Sequence, residues 1–203
     1  MKLILVRHGQ TTMNRDRIIQ GCGSDSGLSQ RGREQAERTA SLLGQQKIDA
    51  IYSSPLKRAV DTAQAIAQAC QLGVNVAPGL KEIDAGELEG VSLDNMEEQH
   101  MEPWREWMRG NTSLLLPGGE SLEELQRRAW NEIERMMERH RDETIVVVSH
   151  LMVTVAIICR AIEIDLRHAL RLKQDSAAIS IVEISAQGNS LLLFNDTCHL
   201  DGE

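Results

Sequence analysis

Aromatic side chains are scarce in this sequence of 203 residues, since Trp, Tyr and Phe together make up only 2% of it. A hydrophobic core must therefore be built mainly from Ala, Leu, Ile, Val and Met. The rest of the composition, 41% hydrophobic and 26% charged, is ordinary for a globular protein. The length suffices for one sizeable core, so we expect a single domain over residues 1–203.

An excess of positive charge is also missing, because the formal net charge is −8. A broad nucleic-acid or membrane-binding surface needs clustered Lys and Arg, so we expect no nucleic-acid and no membrane partner. The expected ligand is a small molecule. The net charge would repel an anionic ligand at long range, so any phosphate site must be a local positive pocket.

Long apolar runs and closely spaced cysteines are absent as well. The apolar run at residues 2–6 is too short for a signal peptide, and residues 151–159 are too few to span a membrane. The cysteines lack C-x-x-C spacing, which favours reduced thiols; they are Cys22, Cys70, Cys159 and Cys198. We therefore expect a cytoplasmic protein.

Short β-branched runs alternate with segments of helical periodicity. The predicted strands lie at residues 2–6, 48–53, 74–77, 80–83, 144–149, 179–184 and 191–194. The last two form either a terminal hairpin or two strands of the sheet. The predicted helices run from Ser29 to Gly44, from Ser54-Pro55 to about Cys70, from the capping box at Ser121 to about Arg141, and from Leu151 to Ile162. This alternation predicts an α/β protein, a three-layer α/β/α sandwich with a mostly parallel central sheet.

Two long segments fall outside this pattern. Residues 9–27 read as a polar loop, which carries Arg15 and Arg17. Residues 86–117 read as a small cap segment over the active site, with short helices. For Trp104, Trp107 and Met108 in this cap segment, we favour packing onto the core over stacking on a substrate.

Three predicted strands end in residues suited to phosphate. The first runs into Arg7-His8-Gly9, the second is followed by Arg58, and the strongest runs into His150. Ligands of open α/β sheets bind at the carboxyl ends of parallel strands. We therefore expect Arg7, His8, Arg58 and His150 to converge at one edge of the sheet.

The chemistry of these four residues suits one ligand. Arg58 is expected in the first turn of a helix and His150 just before another, where N–H groups attract anions. Guanidinium groups match phosphate oxygens, a neutral imidazole can attack phosphorus, and a protonated one can stabilise the transferring group. Gly9 would allow a close approach of the backbone to the ligand.

Each of these residues also has an ordinary explanation. A lone Arg-His-Gly is a weak motif, Arg58 could be one exposed charge on a helix, and His150 could be a helix N-cap. The four together at strand ends are much less expected by chance. A proton donor is needed too, and the residues alone leave Glu82, Asp84, Glu87 and Glu89 open as candidates.

The sequence resembles the histidine phosphatase superfamily, which includes cofactor-dependent phosphoglycerate mutase, over nearly its whole length. The matching residues are Leu5-Val6-Arg7-His8-Gly9-Gln10-Thr11, Asn14, Gln20-Gly21, Leu28-Ser29-Gln30-Arg31-Gly32, Gln35-Ala36, Ser53-Ser54-Pro55-Leu56-Lys57-Arg58-Ala59, Thr62-Ala63, Glu82, Gly86, Glu89-Gly90, Pro117-Gly118-Gly119-Glu120-Ser121 and Val147-Val148-Ser149-His150. The resemblance implies a phosphoglycerate mutase-like fold.

The resemblance also implies roles for these residues. His8 is expected to become transiently phosphorylated, with Arg7, Arg58 and His150 holding the phosphoryl group and Glu82 donating the proton. The substrate-binding residues that the resemblance indicates are Asn14, Gln20, Gly21 and Leu151. Members of the family need no metal, and we expect no metal and no cofactor.

The departures from the family pattern indicate a phosphatase. Gln10 stands where many members have Glu, and Leu151-Met152 replaces glycines that often follow the second histidine. After Glu82 the run Ile83-Asp84-Ala85-Gly86 lacks the cations with which a mutase holds a second phosphate. The end of the sequence, 195–200, is similar to that of small bacterial phosphatases.

The expected function is therefore a metal-independent phosphomonoesterase acting through a phosphohistidine. The alternatives are a phosphoglycerate mutase, a non-catalytic phospho-ligand-binding protein, and a metal hydrolase using His8, His150 and Glu82. The sequence leaves open whether the substrate is phosphoserine, α-ribazole phosphate, a sugar phosphate or another metabolite. It also leaves open the role of His199, and the terminal strands would suit a homodimer.

Overall fold

A computed structural model describes residues 1–94, 96 and 98–200, and of Gln99 and His100 only the backbone. These residues form a six-stranded sheet of order β3-β2-β4-β1-β5-β6. The strands are β1 (Lys2–Arg7), β2 (Ala50–Ser53), β3 (Val74–Val76), β4 (Thr144–Ser149), β5 (Ile179–Glu183) and β6 (Ser190–Asp196). The first four run parallel, whereas β5 is antiparallel to β1 and to β6. The predicted mostly parallel sheet is confirmed.

Helices cover both faces of this sheet. The helices are α1 (Thr12–Arg15), α2 (Gln30–Leu43), α3 (Lys57–Cys70), α4 (Glu98–Met108), α5 (Leu122–Arg139) and α6 (Leu151–Ala161). Side chains of β1 alternate between the faces: Ile4 and Val6 pack with α2 and α3, and Leu3 and Leu5 pack with α5 and α6. The predicted three layers are confirmed.

The register of β4 fixes where the functional edge lies. β4 is buried from Ile145 to Ser149 and pairs with β1 on one side and β2 on the other. Arg7 of β1 lies opposite Ser149, and Ser53 of β2 lies opposite Val148. The three strands therefore end together, and the residues that follow them emerge at the same edge.

Helix termini follow the capping chemistry expected from the sequence. The Ser29 hydroxyl accepts a hydrogen bond from the N–H of Gly32 at 3.0 Å, and α2 ends at Gly44. At the start of α5, Ser121 and Glu124 form the predicted capping box, with reciprocal contacts of 3.2 Å and 2.9 Å. Such caps satisfy N–H groups that the first turn leaves without partners.

Three local predictions were wrong. Residues 9–27, expected to be a loop, contain the short helix α1, which begins at a capping box between Thr11 and Asn14. Residues 80–83 form no strand, because a 3-10 turn at Pro78–Leu80 ends the extended segment and proline has no N–H for a sheet ladder. The helix expected to open at Ser54-Pro55 begins at Lys57 with Leu56 as its N-cap. Pro55 therefore does not occupy the first helical position.

The remaining elements bear on more general expectations. Among the described residues no helix is both long and apolar enough to cross a membrane. Cys159 is buried in α6, and burial, with a smaller effect of Asp165, raises the pKa of its thiol to about 11. At the sheet edge β6 exposes Leu192 and Leu193, but the expected homodimer stays a prediction.

Candidate active site

Two histidine rings lie close together, tilted relative to each other, at the edge where the central strands end. His8 follows β1 and His150 follows β4 as the N-cap of α6. Their side chains are buried, with exposed fractions of 2% and 0%, and their ring centroids are 5.1 Å apart. The pairing of β1 with β4 brings these two rings together across a separation of more than half the chain.

A backbone carbonyl fixes the protonation of the His8 ring. Nδ1 of His8 lies 2.8 Å from the carbonyl oxygen of Gly9, which can only accept, so Nδ1 carries the hydrogen. Burial, followed by the charges of Arg7 and Arg58, keeps the pKa of His8 well below its usual value. At neutral pH the ring is therefore neutral, with its lone pair on Nε2, which is the state required of a nucleophile.

Arg7, the last residue of β1, is held by a segment that sequence reasoning did not single out. Its Nη1 donates to the carbonyl oxygen of Gln174, and the buried side chain of Gln174 donates to the Ser180 hydroxyl on β5 at 2.9 Å. Burial lowers the pKa of Arg7, opposed by the charges of Glu82 and Asp175. The guanidinium is thereby fixed beside the histidines.

Arg58 lies in the first turn of α3, as expected, and is almost completely buried with an exposed fraction of 1%. Its Nη1 donates to the carbonyl oxygen of Ser24 and its Nη2 to that of Gly21, each at 2.7 Å. Burial lowers its pKa, opposed mainly by the Glu82 carboxylate. Arg58 thus ties the loop after α1 to the sheet edge.

Three buried nitrogen atoms around His8 lack hydrogen-bond partners in the described part of the chain: Nε of Arg7, Nε of Arg58 and Nδ1 of His150. Buried N–H groups are rarely left without partners, because their desolvation is then uncompensated. The Nε2 atom of His150 lies 2.7 Å from the Ser54 hydroxyl, so a hydrogen donated by Ser54 would leave the His150 hydrogen on Nδ1. The arrangement offers donors for an anion next to the nucleophile.

The protonation of His150 differs from the expected one. Burial, followed by the charge of Arg58 and the neighbouring His8, holds the pKa of His150 well below its usual value. The ring is therefore neutral at neutral pH. A protonated His150 would require the negative charge of a bound phosphate, which favours the charged form.

Glu82 is the carboxylate that the structure brings to this site. Its Oε1 accepts from the N–H of Ile83 at 2.9 Å and its Oε2 from that of Met152 at 3.3 Å. Burial raises its pKa, opposed by these N–H groups and by Arg58 and Arg7. Of the four carboxylates left open by the residues alone, Glu82 is the one that shares a cavity with His8 and Arg58.

Arg128, which the sequence did not indicate as a site residue, holds the segment that carries Glu82. Arg128 on α5 donates to the carbonyl oxygens of Gly79, Lys81 and Glu82 at 2.8, 2.7 and 2.9 Å. Its other contacts pair it with the Glu120 carboxylate, at 2.5 Å for the shortest. The match of Pro117-Gly118-Gly119-Glu120 to the family pattern was the one signal that pointed to this region.

One cavity of about 380 Å³ joins Arg7, His8, Arg58 and Glu82, whereas His150 is not part of its described lining. Its described lining consists of Arg7, His8, Asn14, Arg17, Ile18, Ile19, Gln20, Gly21, Arg58, Glu82, Ile83, Ala85, Leu88, Leu93, Trp104, Trp107, Met108, Leu116, Leu151, Met152, Ala169, Leu170 and Leu172. The expected substrate-binding residues Asn14, Gln20, Gly21 and Leu151 are among them. His199 is not, and its Nε2 lies 3.0 Å from the Thr39 hydroxyl on α2.

Part of the 86–117 segment lies on this cavity. Trp107 is buried in the core with an exposed fraction of 4%, and Trp104 packs against it at a ring-centroid distance of 5.3 Å. The favoured packing of these rings onto the core is therefore observed. Both rings and Met108 nevertheless line the cavity as well, so core packing and ligand contact are compatible.

The structure explains the glycine at position 9 by close packing of the protein, and not by the expected approach of the backbone to a ligand. A Cβ atom at this position would lie 2.3 Å from the carbonyl oxygen of Gly32 at the start of α2. The Gly9 N–H also donates to the Thr62 hydroxyl on α3 at 3.1 Å. Gly9 therefore permits close packing of the loop between two helices, and it is not among the residues that line the cavity.

One group of potential metal ligands occurs among the described residues, consisting of Cys22, Asp84 and Glu89. The Glu89 carboxylate already accepts hydrogen bonds from the N–H groups of Cys22 and Gly23 at 2.9 to 3.1 Å. Burial, with a smaller effect of the nearby carboxylates, raises the pKa of the Cys22 thiol, which disfavours the thiolate that a metal would bind. The cluster is explained by its hydrogen bonds.

Known proteins are similar to this chain over nearly its whole length. The family model of the histidine phosphatase superfamily (branch 1) matches residues 3–197. Phosphoserine phosphatase 1 of Hydrogenobacter thermophilus is 36% identical over 200 residues, 98% of this chain and 94% of that protein. The metal-independent phosphoserine phosphatase of Arabidopsis thaliana is 34% identical over 202 residues, 98% of this chain and 83% of that protein.

A solved structure extends the likeness to the whole fold. A phosphoserine phosphatase mutant from Entamoeba histolytica, in complex with phosphoserine, superposes with a TM-score of 0.86 at 30% identity. The match covers 98% of each chain. The expected phosphoglycerate mutase-like fold is therefore confirmed.

Proposed function

This chain belongs to branch 1 of the histidine phosphatase superfamily and is a phosphomonoester hydrolase, and we propose that it works without a metal, through a phosphohistidine formed on His8. Its substrate is a small phosphorylated metabolite. The observation that carries the proposal is the set of buried, unpartnered nitrogens of Arg7, Arg58 and His150 around a neutral His8. We propose that a phosphate group bound beside His8 provides the acceptors that these nitrogens lack.

In the first step His8 accepts the phosphoryl group. Its Nε2 forms a bond to phosphorus while the bond from phosphorus to the ester oxygen breaks. Glu82 gives its proton to the leaving oxygen, and the raised pKa of this carboxyl keeps that proton available. Arg7, Arg58 and His150 stabilise the charge on the transferring group.

In the second step water takes the phosphoryl group from His8. The Glu82 carboxylate, ionised by the first step, accepts a proton from the attacking water. The nitrogen–phosphorus bond breaks, inorganic phosphate leaves, and both residues return to their starting states. The 86–117 segment would limit the access of bulk solvent to this cavity as a cap.

The alternatives fit the cavity less well. A mutase needs cations for a second phosphate, and beyond Arg7 and Arg58 the described lining adds only Arg17, whose Nε lies 2.9 Å from an Asp94 carboxylate oxygen. A binding module would have no use for the proton donor Glu82. A metal held by His8, His150 and Glu82 is not supported, because the one group of potential metal ligands among the described residues is Cys22, Asp84 and Glu89.

The test is phosphate release from p-nitrophenyl phosphate in the presence of EDTA. We expect full activity under chelation, inhibition by vanadate, and loss of turnover in His8→Ala. His199→Ala, which removes a histidine outside the cavity, serves as the matched control and should retain activity. Undiminished turnover by His8→Ala would overturn the nucleophile assignment, and loss of activity under EDTA that zinc restores would overturn metal independence.

A further inference from the structure

The charged residues of the cavity lining are almost all engaged in the proposed reaction. Arg7, His8, Arg58 and Glu82 serve phosphoryl transfer, which leaves Arg17 as the remaining charged side chain in the described lining. The Arg17 side chain is 64% exposed and already forms an ion pair with Asp94 at 2.9 Å. Apart from this exposed and paired cation, the described lining holds no charged side chain beyond the four that serve phosphoryl transfer.

The two amide side chains of the lining are neutral and bonded to the protein. The Gln20 Oε1 accepts from the Thr11 hydroxyl at 3.1 Å and from the Asn14 amide at 3.4 Å. The Gln20 amide nitrogen donates to the Ser26 hydroxyl at 2.6 Å. Neither Asn14 nor Gln20 can neutralise an ammonium or a carboxylate on a ligand, and an unpaired charge is disfavoured in a buried site.

Apolar side chains supply most of the remaining surface. They come from separate parts of the chain, including Leu88, Trp104, Leu116, Leu151, Leu170 and Leu172. Pockets of this kind gain affinity by removing apolar ligand surface from water, while a few polar groups fix orientation. The lining is therefore complementary to an apolar ring or chain.

One polar atom of a residue that lines the cavity has no protein partner among the described residues. The indole Nε1 of Trp107 is buried and unpartnered in the part of the chain that the structure describes. Trp107 lines the cavity and has an exposed fraction of 4%. A buried indole N–H usually donates a hydrogen bond, so a neutral acceptor on the ligand would complete this site.

We propose that the substrate is the phosphate monoester of an uncharged, largely apolar alcohol with a neutral hydrogen-bond acceptor that Trp107 binds. This inference rests on the proposed function and names its substrate class. It distinguishes this chain from the relatives named as phosphoserine phosphatases, because an amino acid phosphate carries an ammonium and a carboxylate. Beyond the groups that serve phosphoryl transfer, the described lining holds no anion for the ammonium, and its one further cation, Arg17, is already paired with Asp94.

The first test compares two alkyl esters, 2-phenylethyl phosphate and O-phosphoserine, with the wild-type protein. Since both are alkyl phosphates, the comparison reports mainly on recognition of the alcohol. We expect kcat/KM for 2-phenylethyl phosphate to exceed that for O-phosphoserine by about tenfold or more. A preference for O-phosphoserine would overturn the substrate class and leave the proposed function intact, whereas failure to hydrolyse any phosphomonoester would overturn the proposed function itself.

The second test adds a charge to the apolar lining. Met108 is 48% exposed and lines the cavity, so Met108→Glu should fold and should lower kcat/KM for 2-phenylethyl phosphate about tenfold. Vanadate inhibition should be unchanged, because vanadate occupies the phosphate site alone. Leu192→Glu, at a similarly exposed apolar side chain outside the cavity (55%), is the matched control and should behave as wild type. Equal losses in both variants would overturn the proposal.

The third test removes the indole N–H of Trp107 and keeps an aromatic ring at this position. Trp107→Phe should lower kcat/KM for 4-methylumbelliferyl phosphate, which carries carbonyl and ring-oxygen acceptors, by about tenfold. The same variant should show a clearly smaller loss of kcat/KM for 1-naphthyl phosphate, which has no such acceptor. Equal effects on the two aryl esters would overturn the assignment of Trp107 Nε1 as a donor to substrate.

Discussion

The Nδ1 atom of His8 donates to the carbonyl oxygen of Gly9 across 2.8 Å. Because this contact places the hydrogen on Nδ1, the lone pair of the neutral ring lies on Nε2, the atom proposed to attack phosphorus. Burial and the charges of Arg7 and Arg58 keep the pKa of His8 well below its usual value. The same two guanidinium groups that hold a phosphate therefore also keep the nucleophile unprotonated.

The pKa shifts of His8 and Glu82 predict that kcat/KM falls at low pH and again at high pH. His8 must be neutral, and its lowered pKa means that kcat/KM falls only when acid protonates it well below its usual titration range. Glu82 must be protonated, and its raised pKa extends activity upward before kcat/KM declines as this proton is lost. The measurement is kcat/KM against pH for an alkyl phosphate. A decline at high pH that persists unchanged in Glu82→Gln would contradict the assignment.

Replacement of Glu82 by Gln should separate substrates by their leaving groups. Without the proton donor, kcat/KM for an alkyl phosphate should fall by about 10²- to 10⁴-fold. For p-nitrophenyl phosphate, whose leaving group needs no proton, kcat/KM should change little while kcat falls, because the second step still requires a base. A uniform loss for both esters would show that Glu82 acts in some other way.

Arg128 should act as a positioning residue for Glu82. It donates to the Glu82 carbonyl oxygen at 2.9 Å and to two earlier carbonyls of the same segment. Arg128→Lys retains the charge but loses the planar set of donors, so we expect about a tenfold loss of kcat/KM for alkyl phosphates and a smaller one for p-nitrophenyl phosphate. Arg127→Lys on the same helix is the control. A loss that is identical for both esters would indicate a general structural role instead.

The sequence contained most of the information about where strands end, and much less about what supports the site. The Val-rich run before His150 and the capping serines predicted β4, α2 and α5, because periodicity and caps are local patterns. Gln174 and Arg128 could not be found in this way. Each acts through a long-range contact between a side chain and a backbone carbonyl, and Gln174 and Arg7 are 167 positions apart in the sequence. Such contacts produce no periodic signal.

The close packing that requires a glycine at position 9 also produces no local sequence pattern. It leads to a prediction about stability. A Cβ at Gly9 would lie 2.3 Å from the Gly32 carbonyl oxygen, whereas a Cβ at Gly73 would meet no atom within 4 Å. We expect Gly9→Ala to destabilise the fold by about 2 kcal/mol, or about 4–8 °C in Tm, through overpacking. Gly73→Ala should melt like the wild type. Equal melting temperatures for the two variants would contradict the close packing described for Gly9.

The most direct test of the central claim is the stereochemical course at phosphorus. A substrate with an isotopically chiral phosphoryl group can be transferred to an alcohol acceptor in place of water, and the configuration of the product can then be measured. Transfer through His8 requires two in-line displacements, each of which inverts phosphorus, so we predict net retention. Net inversion would show that the acceptor attacks the substrate directly, and it would contradict a phosphohistidine intermediate on His8.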